Sequence, residues 1–365
     1  MLRFVTFLLF SVVICLVALP SYADISLSLQ QGRSPRTGLP GYTGCGDTYL
    51  NDDDYTENYG NDWDLFAEDY GTTGQRDFLI RFDLTSVLPT GANVQLASLH
   101  AYFWDDYGMS GDDYMNLGAY RLKVGWDEGT GGNGTERTGA SWRYRYGLPN
   151  NTTWNADGAR GTGDRYSQSD AQVVVTADQY GWKTWSGPAI VNTVKTWQAN
   201  AAQNFGWVVD VDYTNDDTNR AYFHSSEYGT SSADYIWRPK LDITYTLQPE
   251  ADADGPYYVS PSESDLLDGT ASYDPDGENI VSWLWDLDDD QDYDDASGAT
   301  CEVTYDYLVN TLGLIPGHVY DIGLKVVDDE GECGFASSSI DLIPEPSGLV
   351  LLIVGAMLLA LRRRN

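Results

Sequence analysis

The chain has 365 residues, with 55 acidic against 21 basic side chains and a formal net charge of −34. So large a negative charge repels phosphate and anionic lipid; it excludes nucleic-acid binding and favours solubility or the binding of divalent cations. Abundant Gly, Asp, Thr, Ser and Tyr beside few helix formers point to β-structure with many turns.

The first 23 residues read as a secretory signal. Arg3 supplies the positive start, Phe4 to Leu19 the apolar core, and Ser21-Tyr22-Ala23 the small-x-small pattern that signal peptidase cuts after. The mature chain is then expected to begin at Asp24. The rival reading, a permanent N-terminal anchor, fits less well because the stretch is short and ends at Pro20. Cys15 has no lipobox before it, which argues against lipid attachment.

Residues 24–248 alternate short period-two runs with Gly, Asn and Asp turns, the pattern of a sandwich or jelly roll. Ala97, Leu99, Ala101 and Phe103 share one face of a strand, with Ser98, His100, Tyr102 and Trp104 on the other. Phe78, Ile80 and Phe82 form a second core face, with Leu79 and Arg81 opposite. Only Pro188 to Asn200 has helical spacing, through Ile190, Val194 and Trp197. Asp47-Thr48-Tyr49, Asn58-Tyr59-Gly60 and Phe78-Leu79-Ile80-Arg81-Phe82-Asp83-Leu84 look like the opening of a DNRLRE-type carbohydrate-binding domain. Trp126-Asp127-Glu128, Ser141-Trp142, Asn204-Phe205-Gly206-Trp207, Phe223-His224-Ser225-Ser226-Glu227 and Arg238 to Tyr245 continue the resemblance in order. It implies a β-jelly-roll that binds polysaccharide. The acidity of this chain departs from what an anionic glycan ligand would favour.

Charge density changes near Gln248-Pro249-Glu250: residues 24–248 hold 30 acidic and 16 basic side chains, residues 249–343 hold 24 acidic ones and Lys325 alone. A domain boundary is expected there. In the second block, Asp252-Ala253-Asp254-Gly255-Pro256-Tyr257, Ser272-Tyr273-Asp274-Pro275-Asp276-Gly277, Trp285-Asp286-Leu287-Asp288 and Tyr320 to Gly331 resemble a polycystic kidney disease (PKD) domain. That resemblance implies an immunoglobulin-like sandwich that spaces or displays other modules. Val281, Trp283 and Trp285 alternate as a core strand should, as do Ile322, Leu324 and Val326.

Residues 344–365 form a tail. Pro344-Glu345-Pro346 precedes an apolar run from Leu349 to Leu361 and a terminal Arg362-Arg363-Arg364-Asn365. The run is shorter than the ~20 residues a comfortable spanning helix needs, and the arginines hold its end on the cytoplasmic side. Motif, hydrophobic helix and arginine cluster together resemble the PEP-CTERM sorting signal. This implies recognition by exosortase, in the envelope or on the outer surface of a Gram-negative bacterium. An ordinary tail anchor leaves the Pro-Glu-Pro element unexplained.

Ten of the twelve tryptophans fall in the first domain. Trp126, Trp197 and Trp207 occupy core phase, whereas Tyr102 and Trp104 face outward and suit stacking on the C–H face of a pyranose. Arg121 and Lys123, and Arg143 and Arg145, alternate with apolar or aromatic neighbours on the same expected glycan side. The competing view makes all of these ordinary outward residues. Asp286, Asp288, Asp290, Asp292 and Asp294 alternate as hard ligands for structural calcium would. Gln291 stands where an EF-hand needs glycine, so a looser site or a merely solvated loop remains. Asp47 with Asp52, Asp53 and Asp54 is a second, weaker calcium candidate. Cys301 and Cys333 are the expected disulfide, given an oxidising compartment. Three histidines in separate contexts offer no triad or His-rich metal site.

The resulting expectation is an all-β, non-catalytic exported protein: jelly roll, PKD sandwich and sorting tail. Its partners would be extracellular polysaccharide, with signal peptidase and exosortase during processing, and the membrane only through the C-terminal helix before that. The alternative is a structural or adhesive matrix component without a defined sugar site. A hydrolase or lyase is the third, less favoured reading.

Overall fold

The computed structural model describes residues 25–69, 74–132, 137–216, 218–261, 263–277 and 279–345. The expected signal peptide, Pro346 and the apolar tail lie outside these residues. Among the described residues, no helix is long and apolar enough to cross a membrane.

The first strands are β1 (Ile25–Gln30), β2 (Cys45–Asn51), β3 (Asp64–Glu68), β4 (Arg76–Phe82), β5 (Asn93–Tyr107) and β6 (Tyr114–Arg121). A short hairpin, β7 (Tyr144–Tyr146) and β8 (Thr152–Thr153), is followed by β9 (Ala171–Thr176) and β10 (Gly181–Ser186). Then come α1 (Pro188–Ala199), β11 (Trp207–Thr214), β12 (Arg220–His224) and β13 (Lys240–Thr246). The long strands join in the order β1-β13-β5-β12-β3-β4-β11-β6-β9, with β10 added on β5 and β2 on β4. β5 organises this curled sandwich. Along one edge it pairs with β10, and along the other first with β13 and then with β12. Its inward set Ala97, Leu99, Ala101 and Phe103 is at most 3 % exposed, as alternation predicts. Pro188 starts α1 at a position where its missing N–H costs nothing, and Ile190, Val194 and Trp197 bury against the same core.

Alternation misplaces one layer. Leu79 is expected on the solvent side of β4, yet it is fully buried. The segment from Leu122 to Arg165 folds back over the outer face of β2, β4 and β11. There Leu50, Leu79 and Val208 pack under Trp126, Ala140, Trp142 and Trp154. Sheet strands covered on both faces lose the apolar–polar signature. An ionic link fastens the layer. Arg160 grips Asp77 with Nε and Nη2 at 3.0 Å each and reaches Asp210 at 2.8 Å, and Arg165 meets Asp210 at 2.6 Å.

The remaining strands form separate sheets: β14 (Tyr257–Val259), β15 (Ser264–Asp268), β16 (Ile280–Asp286), β17 (Ala296–Ser297), β18 (Thr300–Thr304), β19 (His318–Asp328) and β20 (Cys333–Leu342). One sheet runs β14-β20-β19-β16-β17, with β14 and β20 parallel, and the other pairs β15 with β18. Trp285, Ile322, Leu324, Val326 and Ile340 fill the core of this sandwich. Val281, expected inside, is 59 % exposed. A register shift between Ile280 and Ser282 moves the strand's first residues out of phase, and one residue of slip exchanges the two faces. The two sandwiches touch through Glu332, which accepts from Thr246 (2.8 Å) and from Asn93. Asp276 also accepts from the Leu247 N–H at 2.8 Å.

Candidate functional site

The alternation of β5 turns Tyr102 and Trp104 outward. Register then sets partners beside them: Trp182 of β10 lies across from Tyr102, and His224 of β12 lies across from Asp64 of β3. The His224 ring stands parallel to Tyr102 (5.6 Å, 4°) and to Trp104 (5.5 Å, 8°). Tyr228, in the turn after β12, stacks on His224 at 3.5 Å. Trp237 and Trp182 flank Tyr102 at 4.5 and 5.4 Å, and Trp63 meets Tyr228 edge-on at 6.1 Å. Trp63 is 51 % exposed, whereas Tyr102, Trp104, Trp182 and Trp237 are half-buried. The outcome is one aromatic face spanning β10, β5, β12 and the loops beyond.

Two titratable groups sit in this face. Burial pushes His224 down to about 4, so the ring is neutral. Asp64 accepts the Trp104 indole N–H at 2.9 Å. Burial first, and the nearby Asp62 charge second, push it up to about 6.

The expected basic residues lie elsewhere, a correction to the single basic-aromatic side. Arg121 and Lys123 both stand over Tyr166, at 4.1 and 4.6 Å. Arg143 leans on Tyr55 and Tyr144, and Arg145 on Tyr146 while it donates to the Gly125 carbonyl at 2.9 Å. β6 is separated from β5 by β12, β3, β4 and β11 in the sheet order. Strands stand ~4.8 Å apart, so alternation within a strand cannot tell which strands are neighbours.

The acidic run also rearranges. Asp286, Asp288 and Asp295 bring oxygens within 4.8 Å of one another, while Asp290, Asp292 and Asp294 are exposed. The cause is a turn with positive φ at Asp289 (60°) and Gln291 (71°), which ends the alternation. Asp286 holds this turn, accepting from the backbone N–H groups of Asp289 (2.8 Å) and Gln291 (2.9 Å). Sequence reasoning missed a separate acidic group at the junction of the two sandwiches, toward the other end of the β16–β19 ladder. There burial and Asp276 push Asp274 up to about 7, beside the buried Asp328.

Asp47 does not join Asp52, Asp53 and Asp54. Asp54 accepts from Asn51 and Tyr59, Asp52 caps the Gly74 and Gln75 N–H groups, and Asp53 meets Arg76. Asp47 instead converges with Glu128 and Glu227, their oxygens within 4.8 Å. These residues stand 81 to 180 positions apart in the chain, so no local spacing reveals them. The Glu128 loop is seated by Asn58, whose amide donates to the Glu128 and Ala140 carbonyls at 2.7 and 2.8 Å. Any Cβ on Gly60 would lie 2.1 Å from the Glu128 carbonyl oxygen. Burial and the neighbouring carboxylates push Glu128 up to about 7 and raise Asp47, and burial raises Glu227.

The expected disulfide is not formed: Cys301 and Cys333, like Cys45, are free thiols. Cys301 lies on β18, opposite Leu267, and Cys333 on β20, opposite Val327. Those strands belong to different sheets, and the two thiols turn to separate carbonyls, Cys301 to that of Glu302 and Cys333 to that of Gly331, at 3.8 Å each.

No family model matches the chain, and no curated protein matches it. Solved structures similar to part of it include the PKD1 domain of Vibrio anguillarum Epp, 19 % identical over 28 % of this chain and 99 % of that one, with a TM-score of 0.20. The PKD1 domain of the Vibrio cholerae metalloprotease PrtV is 23 % identical over 27 % of this chain and 99 % of that domain, with a TM-score of 0.19. A PKD domain from the KIAA 1837 protein is 25 % identical over 27 % of this chain and 91 % of its own, with a TM-score of 0.20. Scores this low establish no shared architecture for the chain as a whole.

Proposed function

We propose that this is an exported, non-catalytic surface protein that binds extracellular polysaccharide through the aromatic face of its first domain. The observation that carries the reading is the run Trp182, Tyr102, His224, Tyr228 and Trp63 along one outer face. Flat, weakly polar rings suit the C–H faces of pyranoses. The chain's acidity favours a neutral polysaccharide over a polyanionic one. The second sandwich displays the first away from the cell, with calcium stiffening the Asp286, Asp288 and Asp295 loop. The N-terminal signal and the Pro-Glu-Pro tail support export, then exosortase sorting to a Gram-negative cell surface.

A pull-down of the purified chain on a panel of polysaccharides, with calcium present, tests the reading. Retention on at least one neutral polysaccharide is expected. Trp63→Ala and Trp182→Ala should each weaken it roughly two- to thirteen-fold, as the ~0.5–1.5 kcal/mol of an aromatic contact implies. Retention on none would leave a matrix component without a sugar site. Release of reducing ends or unsaturated products would instead make the protein an enzyme.

A further inference from the structure

We infer that Asp47, Glu128 and Glu227 form a site for a hard divalent cation of the calcium class. Three carboxylates from β2, from the loop after β6 and from the turn after β12 place oxygens within 4.8 Å of one another. Asp47 is 1 % exposed. Its Oδ2 accepts the Ser226 N–H at 2.8 Å, while its Oδ1, equally buried, has no hydrogen-bond partner. Glu128 Oε1 accepts the Asp47 N–H at 2.7 Å, and both Glu227 oxygens accept from the Ser226 hydroxyl at 2.9 and 3.0 Å.

Such a concentration of like charge needs a counter-charge, and Arg238 and Arg81 act on it only from a distance. Arg238 is spent on the carbonyls of Tyr228, Gly229 and Gln31 and on the ring of Tyr235. Arg81 stands over Trp126. The ion pairs among the described residues involve none of the three carboxylates. An all-oxygen donor set with an unfilled buried lone pair, gathered from an irregular set of elements, fits calcium better than octahedral magnesium.

The site lies against the aromatic face. Glu227 immediately precedes Tyr228, whose ring rests 3.5 Å from His224. A cation bridging Glu227 to β2 fixes the turn that carries one wall of that face. The cation site itself does not depend on any sugar being bound.

The test compares the full-length wild type with Glu227→Gln and Glu128→Gln, both isosteric, by calorimetric unfolding and calcium titration. Asp288→Asn serves as the control for the other cluster. With calcium at about 1–5 mM, the regime of extracellular modules, the wild type should melt higher than in chelator. Both glutamine variants should lose that gain and about one equivalent of bound calcium, whereas Asp288→Asn should keep the gain in the first domain. In chelator the glutamine variants should melt at or above the wild type, because a repulsive charge is gone. A melting difference between variant and wild type that is independent of calcium overturns the proposal and leaves a shared proton as the counter-charge. A wild type that ignores calcium overturns it equally. Neither outcome touches polysaccharide retention, so the glycan reading fails or survives separately.

Discussion

At Asp64 the aromatic face carries a carboxylate that folding prefers protonated. Its folded value, about 6, lies above the ordinary ~3.9 of a free side chain. Its contribution to stability is therefore complete below about pH 4 and is lost as the pH rises through about 6. Asp64→Asn keeps an acceptor for the Trp104 indole and removes the ionisation. The melting temperature of the variant relative to wild type should accordingly climb between pH 4 and pH 7.5. His224 titrates in the opposite sense and its Nδ1 lies 4.0 Å from Asp64, so the same comparison is made in a His224→Asn background, where the climb should persist. A pH-independent difference would contradict this account of Asp64. At this scale the sequence exposed only what one strand can show. Tyr102 and Trp104 follow from the alternation of β5. Trp63, Trp182, His224, Tyr228 and Trp237 arrive from separate segments through strand register and turns, which no single-strand period encodes.

Among the elements, the layer over β2, β4 and β11 departs most from the sequence reading. Leu79 sits in a phase that looks solvent-facing, and only long-range folding of the segment from Leu122 to Arg165 buries it. Arg160 is the link that makes this layer testable. Asp77 is fully buried and has Arg160 as its ion-pair partner. Removing one partner of a buried pair costs about 3–5 kcal/mol, because the other charge is stranded. Arg160→Ala should lower the free energy of unfolding by that much, read as a lower urea midpoint at unchanged slope. Arg160→Lys should recover only part of it, since an ammonium lacks the two-pronged geometry that reaches both Asp77 oxygens. Midpoints equal to wild type would show the layer held by its tryptophans alone. The second sandwich teaches a similar lesson. Its strands were legible from Ile322, Leu324 and Val326, but the irregularity at Ile280 and the positive-φ turn at Asp289 and Gln291 were not. Those two local features moved Val281 outward and reduced five alternating aspartates to a converging pair joined by Asp295.

At the scale of the whole molecule, two all-β sandwiches hold separate sheets and separate cores. They meet through a few polar contacts around Glu332 and Asp276. That arrangement suits a chain that presents one module on another, and an aromatic face on the first module is its most distinctive surface. The measurement bearing most directly on the central claim is affinity electrophoresis of the intact chain against a polysaccharide panel, with Trp63→Ala and Trp182→Ala run alongside. Retardation of the wild type is expected in at least one neutral polysaccharide, reduced for both variants while their melting temperatures stay at the wild-type value. Equal mobility of all three proteins in every gel would contradict it.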